Sequence, residues 1–171
     1  MATETQRTKA GITTGSILAV DYGRARIGLA IAETEARLPR PLLTLERVNR
    51  NEDMRRLREL AREHGVRQIV VGLPLRLDGT RGEMAEEATR FAARLRKQLG
   101  VPVDMLDERL TSWEAERLLE EQSGRVMHDA KTHAKGGNKP ARASVDAVAA
   151  AVILKEYLEL LSATQSTPEH I

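Results

Sequence analysis

The segment 17–31, ILAVDYGRARIGLAI, restricts the possible folds of this chain more than any other part of it. An apolar, partly β-branched run ends in Asp21, passes Gly23, and is followed within a few residues by a second apolar run. This pattern predicts two adjacent antiparallel strands with Asp21 near the end of the first. A carboxylate there must be solvated, paired or metal-bound to offset its desolvation. Asp21 is therefore a candidate site residue, although Asp also commonly begins a simple turn before Gly.

The hydrophobic periodicity of the following segments predicts an α/β fold. A third strand at 42–48 completes an antiparallel meander, and helical periods then alternate with two short apolar strands. A strand that follows a helix is expected to lie parallel to the first strand. The predicted helices span 51–65, 82–99 and 142–161, and the predicted later strands span 68–72 and 102–106.

These elements predict one domain at 17–161, built on a mixed five-stranded sheet with three antiparallel strands, then two parallel strands, and flanking helices. The length of 171 residues is enough for one domain with a sizeable core. Segments 1–16 and 162–171 lack apolar periodicity, and we expect a mobile N-terminal leader and a mobile C-terminal tail. The order of strands and helices is that of the ribonuclease H-like fold.

Composition limits the chemistry that is available. Cysteine is absent, so any metal must be held by oxygen or imidazole ligands, which favours hard cations. No apolar run approaches the roughly 18 residues that span a bilayer, and no signal peptide is recognisable, so we expect a cytoplasmic protein without a membrane partner. Arginine outnumbers lysine, which is compatible with nucleic-acid binding. Arg90, Arg94 and Lys97 form an outward stripe that is either a phosphate contact or, as we prefer, a solvated helix face.

Two further carboxylates stand at the boundaries of apolar elements. Glu108 follows the strand at 102–106, on the same rim of the sheet as Asp21, and Asp146 interrupts the apolar beginning of the last helix. A few carboxylates suffice to hold two divalent ions that activate water and stabilise the leaving oxygen of a phosphodiester. Oxygen ligands of this kind suit Mg²⁺ or Mn²⁺. Asp21, Glu108 and Asp146 are therefore the predicted metal ligands and catalytic residues, provided that they converge in space.

A polar and basic region separates the second and third carboxylates. Thr111 begins a predicted helix with a capping box, and the following stretch, 123–141, is rich in glycine and lysine and is expected to be a long exposed loop. The residues of this region that are predicted to contact the backbone of a nucleic acid include Lys131, Lys135, Lys139 and Arg142. Its two histidines, His128 and His133, are expected to be solvated.

Four ordered segments, VDYGRARIGLAIA, VVGLPLRLDGTRG, DERLTSWEA and VDAVAAAVILKEYL, resemble the YqgF (RuvX) family. The resemblance implies a bacterial cytoplasmic nuclease that processes the 5′ end of the precursor of 16S ribosomal RNA. By this resemblance Asp21, Glu108 and Asp146 match the acidic triad of the family. The residues that fall in the surrounding motifs, and are expected to contact the substrate, are Arg24, Arg26, Arg109 and Thr111.

The sequence departs from the family pattern at two places, and it leaves several alternative functions open. Ser112 stands where the family often has a second threonine, and the stretch 124–142 is longer than the family's basic segment. Some members are called Holliday junction resolvases, and cleavage of a four-way DNA junction would favour a homodimer. A non-catalytic nucleic-acid-binding module is disfavoured by the three acids. An actin-like ATPase is disfavoured by length, because those proteins need two such domains.

Overall fold

The computed structural model describes residues 15–110 and 144–165. Its first three strands form the predicted antiparallel meander, with Asp21 directly opposite Gly28. The third strand lies two residues earlier than predicted, and Val48, which we had placed in it, is exposed beyond its end. These strands are β1 (Ser16–Tyr22), β2 (Arg26–Glu33) and β3 (Arg40–Glu46).

The remaining elements confirm the alternation of helices and parallel strands. Strand β4 pairs with β1 and β5 pairs with β4, both in parallel, which gives the sheet order β3-β2-β1-β4-β5. This is the predicted mixed sheet, and the fold is ribonuclease H-like. The elements are α1 (Arg50–Glu63), β4 (Val66–Leu73), α2 (Glu83–Leu99), β5 (Val103–Asp107), a 3₁₀ turn (Glu108–Leu110) and α3 (Val145–Gln165).

Local sequence explains where the first two helices begin and end. The side chain of Asn49 accepts hydrogen bonds from the backbone N–H groups of Asn51 and Glu52, which caps the start of α1. Helix α2 ends at Gly100, whose backbone adopts the left-handed conformation that glycine reaches without strain.

The sheet separates two apolar cores, because successive strand residues point to opposite faces. One face packs against α1 and α2 through large side chains, and the other packs against α3 through smaller ones. The first core includes Leu18, Val20, Ile27, Leu29, Val71, Leu57 and Phe91. The second includes Ile17, Ala19, Ala30, Ala32, Val70, Ile153 and Leu154.

Helix α3 differs from its prediction in its buried face and its end. Val145 and Leu160, expected on the core side, are 59% and 47% exposed. Ala147, Tyr157 and Leu158 are buried instead. The first half of the helix is apolar on nearly every side, so its sequence has no polar stripe to mark the outward face. The helix also continues to Gln165, so the predicted C-terminal tail begins with four helical residues.

No helix within 15–110 and 144–165 is both long enough and apolar enough to cross a bilayer.

Candidate active site

The first carboxylate of the site lies where β1 meets α3. Asp21 shares the α3 face of the sheet with its cross-strand partner Gly28. A Cβ atom at Gly28 would lie 2.0 Å from the backbone carbonyl oxygen of Asp146 and 2.9 Å from its Cβ. The first turn of α3 therefore rests directly on the sheet, and it does so because residue 28 has no side chain.

A second glycine makes room for Glu108. Gly72 follows Val71, which pairs with Val20, so Gly72 lies next to Asp21 in the sheet. A Cβ atom at Gly72 would lie 2.1 Å from Oε1 of Glu108 and 2.8 Å from Cδ1 of Ile153. The carboxylate of Glu108 therefore occupies space on the α3 face that any other residue at position 72 would fill.

The acids are electrostatically coupled. Burial, and secondly the negative charge of Asp146, raises the pKa of Asp21 to about 6. Burial, followed by the charges of Asp21 and Asp107, raises the pKa of Glu108 to about 7. Asp21 thus interacts with both of the other predicted ligands, and the three acids occupy one edge of the sheet. Near neutral pH the repulsion on Asp21 and Glu108 favours either the protonation of these two acids or the binding of a cation.

Asp146 is held by a cation from the protein itself. Nε of Arg26 donates a hydrogen bond of 2.8 Å to Oδ2 of Asp146. The start of α3 is also fixed by Ser144, whose Oγ accepts from the backbone N–H of Ala147 and hydrogen-bonds to Thr44 of β3. An acid in the first turn is favoured by the helix dipole. Arg26 therefore reaches the candidate site.

The acidic edge suits a metal ion in its donor chemistry but not in the spacing of its side chains. Among the described residues, no three His, Asp or Glu side chains are spaced to hold one ion together. Asp146 is directed to Arg26 instead. The donor chemistry nevertheless fits, since the edge presents three carboxylates, of which Asp21 and Glu108 repel each other. Asp21, Glu108 and Asp146 therefore have donor atoms suited to hard divalent cations, although their side chains are not spaced to share one ion in this structure.

Only some of the other residues predicted to contact substrate lie within the described part of the chain. Nη2 of Arg24 donates to Glu87 at 2.8 Å, so Arg24 is turned toward α2. Nη2 of Arg109 donates to Asp107 at 2.6 Å, and this pair keeps the pKa of Asp107 below its usual value. Both arginines lie at the carboxyl edge of the sheet. The remaining predicted contacts lie outside the described residues: Thr111, Lys131, Lys135, Lys139 and Arg142.

Two glycines shape the site, and their role was not predicted from the sequence. Gly28 and Gly72 interrupt otherwise apolar strands. A single glycine inside a strand often marks a close approach of another backbone or group, so the signal was present. What approaches each glycine is supplied by distant segments and is visible only in the fold.

The sheet order and the carboxylates at its edge define a ribonuclease H-like protein with a candidate acidic active site. The family model described as "RuvX: Holliday junction resolvase" matches residues 15–160, and the chain belongs to the RuvX family.

Curated relatives match over most of their length. A protein of Anaeromyxobacter sp. (strain K), named "Putative pre-16S rRNA nuclease", is 45% identical over 83% of this chain and 95% of its own. A protein of Chloroflexus aurantiacus with the same name is 41% identical over 84% of this chain and 86% of its own. Among solved structures, T. thermophilus RuvC in complex with a Holliday junction substrate covers 85% of this chain and 96% of its own, with 14% identity and a TM-score of 0.49.

Proposed function

We propose that this protein is a divalent-metal-dependent nuclease that hydrolyses phosphodiester bonds in the precursor of 16S ribosomal RNA, in the cytoplasm. The observation that carries the proposal is the electrostatic interaction between the half-buried carboxylates of Asp21 and Glu108 at one sheet edge, beside Asp146. The ribosomal substrate is supported by the names of relatives at 45% and 41% identity.

Asp21, Glu108 and Asp146 are the proposed ligands of Mg²⁺ or Mn²⁺. Bound divalent ions supply a water of lowered pKa and stabilise charge on the leaving oxygen. The protein's contribution is to hold its carboxylates in place: α3 carries Asp146, and Gly28 and Gly72 leave the space around the acids. If Asp146 held a cation, Arg26 would be available to donate to a substrate phosphate.

Substrate binding is assigned to arginines and lysines around this edge. Arg24, Arg26 and Arg109 are exposed or half-exposed there, and their guanidinium groups form paired hydrogen bonds with phosphate oxygens. From the sequence alone we add Thr111, Lys131, Lys135, Lys139 and Arg142.

The test is a side-by-side cleavage assay on a fragment spanning the 5′ end of precursor 16S rRNA and on a four-way DNA junction, with Mg²⁺ or Mn²⁺. We expect the wild type to cleave the RNA, and Asp21→Asn and Glu108→Gln to lose cleavage because they remove charge while keeping shape. The matched control is Glu33→Gln, an exposed acid at the end of β2 on the opposite edge of the sheet, which should retain full cleavage.

Each alternative has its own outcome. Wild-type turnover by Asp21→Asn contradicts the proposed mechanism. Preferential cleavage of the junction, by a species whose mass in solution is that of a homodimer, establishes the resolvase instead of the RNA nuclease. Binding of either substrate without cleavage by the wild type establishes a non-catalytic module.

A further inference from the structure

A cleft of about 280 Å³ lies on the opposite face of the sheet from the three acids. Tyr22 follows Asp21 along β1 and therefore points to the α1 and α2 side. Apart from Tyr22 and Phe91, the cleft is lined by one glutamate and four arginines: Glu87, Arg47, Arg50, Arg90 and Arg94.

Three separate elements bring these arginines together. Arg47 directly follows β3, and Arg50 is the first residue of α1. Arg90 and Arg94 are one turn apart on α2, on the face that also carries Glu87. Strands β1 and β3 run in the same direction, so their carboxyl ends lie at the same sheet edge as the acids.

Arg47 forms a fixed wall of the cleft. Its Nε donates to Oδ2 of the buried Asp53 at 3.0 Å, and its Nη1 donates to the hydroxyl of Tyr22 at 3.0 Å. Its guanidinium carbon lies 5.0 Å from the centre of the Tyr22 ring, in a cation–π contact. These contacts hold one positive charge in place before any ligand arrives.

The other three arginines have no such partners. Within 15–110 and 144–165, the side chains of Arg50, Arg90 and Arg94 make no hydrogen bond and no ion pair within 4 Å, and only the charge of Arg90 acts at longer range on Glu87. Glu87, the one acid that lines the cleft, is occupied by Arg24 at 2.8 Å and by the hydroxyl of Tyr22 at 3.3 Å. The cleft therefore carries more positive than negative charge, and one of its arginines, Arg94, is half-buried.

We propose that this arginine cleft binds a phosphate group of the nucleic-acid substrate, at a position separate from the scissile phosphate. Several guanidinium forks around one small space suit the three or four oxygens of a phosphate. A nucleic-acid strand that passes over the turn between β1 and β2 reaches the acids on one side and the cleft on the other. The inference rests on the proposed function only for the identity of the molecule that carries the phosphate.

The test measures binding without cleavage, in EDTA, by fluorescence anisotropy of a single-stranded RNA labelled at its 3′ end, over a series of salt concentrations. The cleft variant replaces Arg50, Arg90 and Arg94 by Gln. The matched control replaces Arg40, Arg62 and Arg67 by Gln, three exposed arginines at the opposite edge of the sheet that also have no ion-pair partner among the described residues. Both variants lose the same net charge.

We expect the cleft variant to flatten the slope of log affinity against log salt by about 0.7, because the contact with one phosphate is lost. The control should keep the wild-type slope. Equal flattening in both variants overturns the proposal, because net charge alone then explains it. An unchanged slope in the cleft variant also overturns it.

Two RNA probes, with and without a 5′-phosphate, distinguish the sources of the phosphate. If the wild type prefers the 5′-phosphorylated RNA and the cleft variant loses that preference, the cleft binds a terminal phosphate. Equal loss of slope with both probes assigns it to an internal phosphodiester. Because no cleavage is needed, these results stand even if the chain proves not to be a nuclease. Conversely, if the cleft variant cleaves RNA with unchanged kcat and KM, the cleft inference fails and the nuclease proposal stands.

Discussion

The two faces of the sheet differ in the size of their side chains, and the chemistry at the edge follows from that difference. On the α3 face, Ala19, Ala30, Gly28 and Gly72 let a helix and a carboxylate approach the strands closely. On the other face, large aliphatic and aromatic residues hold α1 and α2 farther from the strands. Close approach buries negative charge, whereas the wider spacing leaves an open cleft lined by arginines.

Strand β1 contributes residues to both the acidic edge and the arginine cleft. Asp21 and Tyr22 are consecutive residues, yet one joins the acids and the other joins the arginine cleft. Alternation along a strand therefore places a site suited to cations and a site suited to anions back to back. Under the two proposals a nucleic acid would use both sites, with the acids at the scissile phosphate and the arginines at a neighbouring phosphate.

The largest effect on stability is expected from Gly28→Ala. The added methyl group would meet the backbone of α3, which cannot move aside as a side chain would, so we expect a loss of about 2–3 kcal/mol in the free energy of unfolding. Urea denaturation measures it. The contrasting variant is Ile27→Val on the opposite face, which removes a methyl group and should cost about 1 kcal/mol. If Gly28→Ala costs less than Ile27→Val, close packing does not distinguish the two faces.

An intermediate effect is expected from pH. In the metal-free protein the pKa values of Asp21 and Glu108, about 6 and 7, lie above their ordinary values of 3.8 and 4.5. The folded state therefore binds more protons than the unfolded state between these limits, and stability falls as pH rises through 6 and 7. We expect a loss of roughly 2 kcal/mol between about pH 5 and pH 8 in EDTA, since one pKa unit corresponds to about 1.4 kcal/mol and partial exposure reduces the total.

Denaturation of the matched variants checks this assignment. Asp21→Asn and Glu108→Gln should each flatten the pH profile and stabilise the metal-free protein at pH 8. A wild-type profile in both site variants would show that the acids do not repel one another. Metal binding should weaken as pH falls through the same range, because protons compete for the same oxygens.

The smallest effect on stability is expected from Arg26→Gln. The Arg26 side chain is 60% exposed, so loss of its ion pair with Asp146 should change the free energy of unfolding by less than about 0.5 kcal/mol. Calorimetric titration with Mn²⁺ should show higher affinity, because Asp146 no longer has a competing cation. Asp146→Ala should instead lower the affinity. An affinity equal to that of the wild type in Asp146→Ala would remove this residue from the proposed metal site.

The fold was predictable because most of its elements have a clear hydrophobic period. Strands β1, β2 and β4 are compact apolar runs, and α1 and α2 each have one apolar face. Helix α3 lacks such a contrast, so the prediction of its buried face was partly wrong: Tyr157 is buried and Val145 is exposed. Its orientation is decided by the alanines and glycines of the sheet.

The acids of the candidate site could be predicted from the sequence, but the residues that contact these acids could not. Each acid interrupts or ends an apolar segment, which local sequence reveals. The contact between Arg26 and Asp146 joins residues 120 positions apart, and no local pattern records it. The arginine cleft was equally hidden, because Arg90 and Arg94 had the pattern of a solvated stripe until Arg47 and Arg50 were placed beside them.

The docking of α3 on the sheet has a consequence for the time at which this protein becomes active during synthesis. Strands β1 to β5 and the first two acids leave the ribosome before α3 has been translated. The proposed third ligand, Asp146, arrives only with that last helix, and it joins the others only when α3 packs over Gly28. An unfinished chain therefore lacks a complete set of acids. A nuclease proposed to act on ribosomal RNA precursors would thus stay inactive while its own ribosome is still making it.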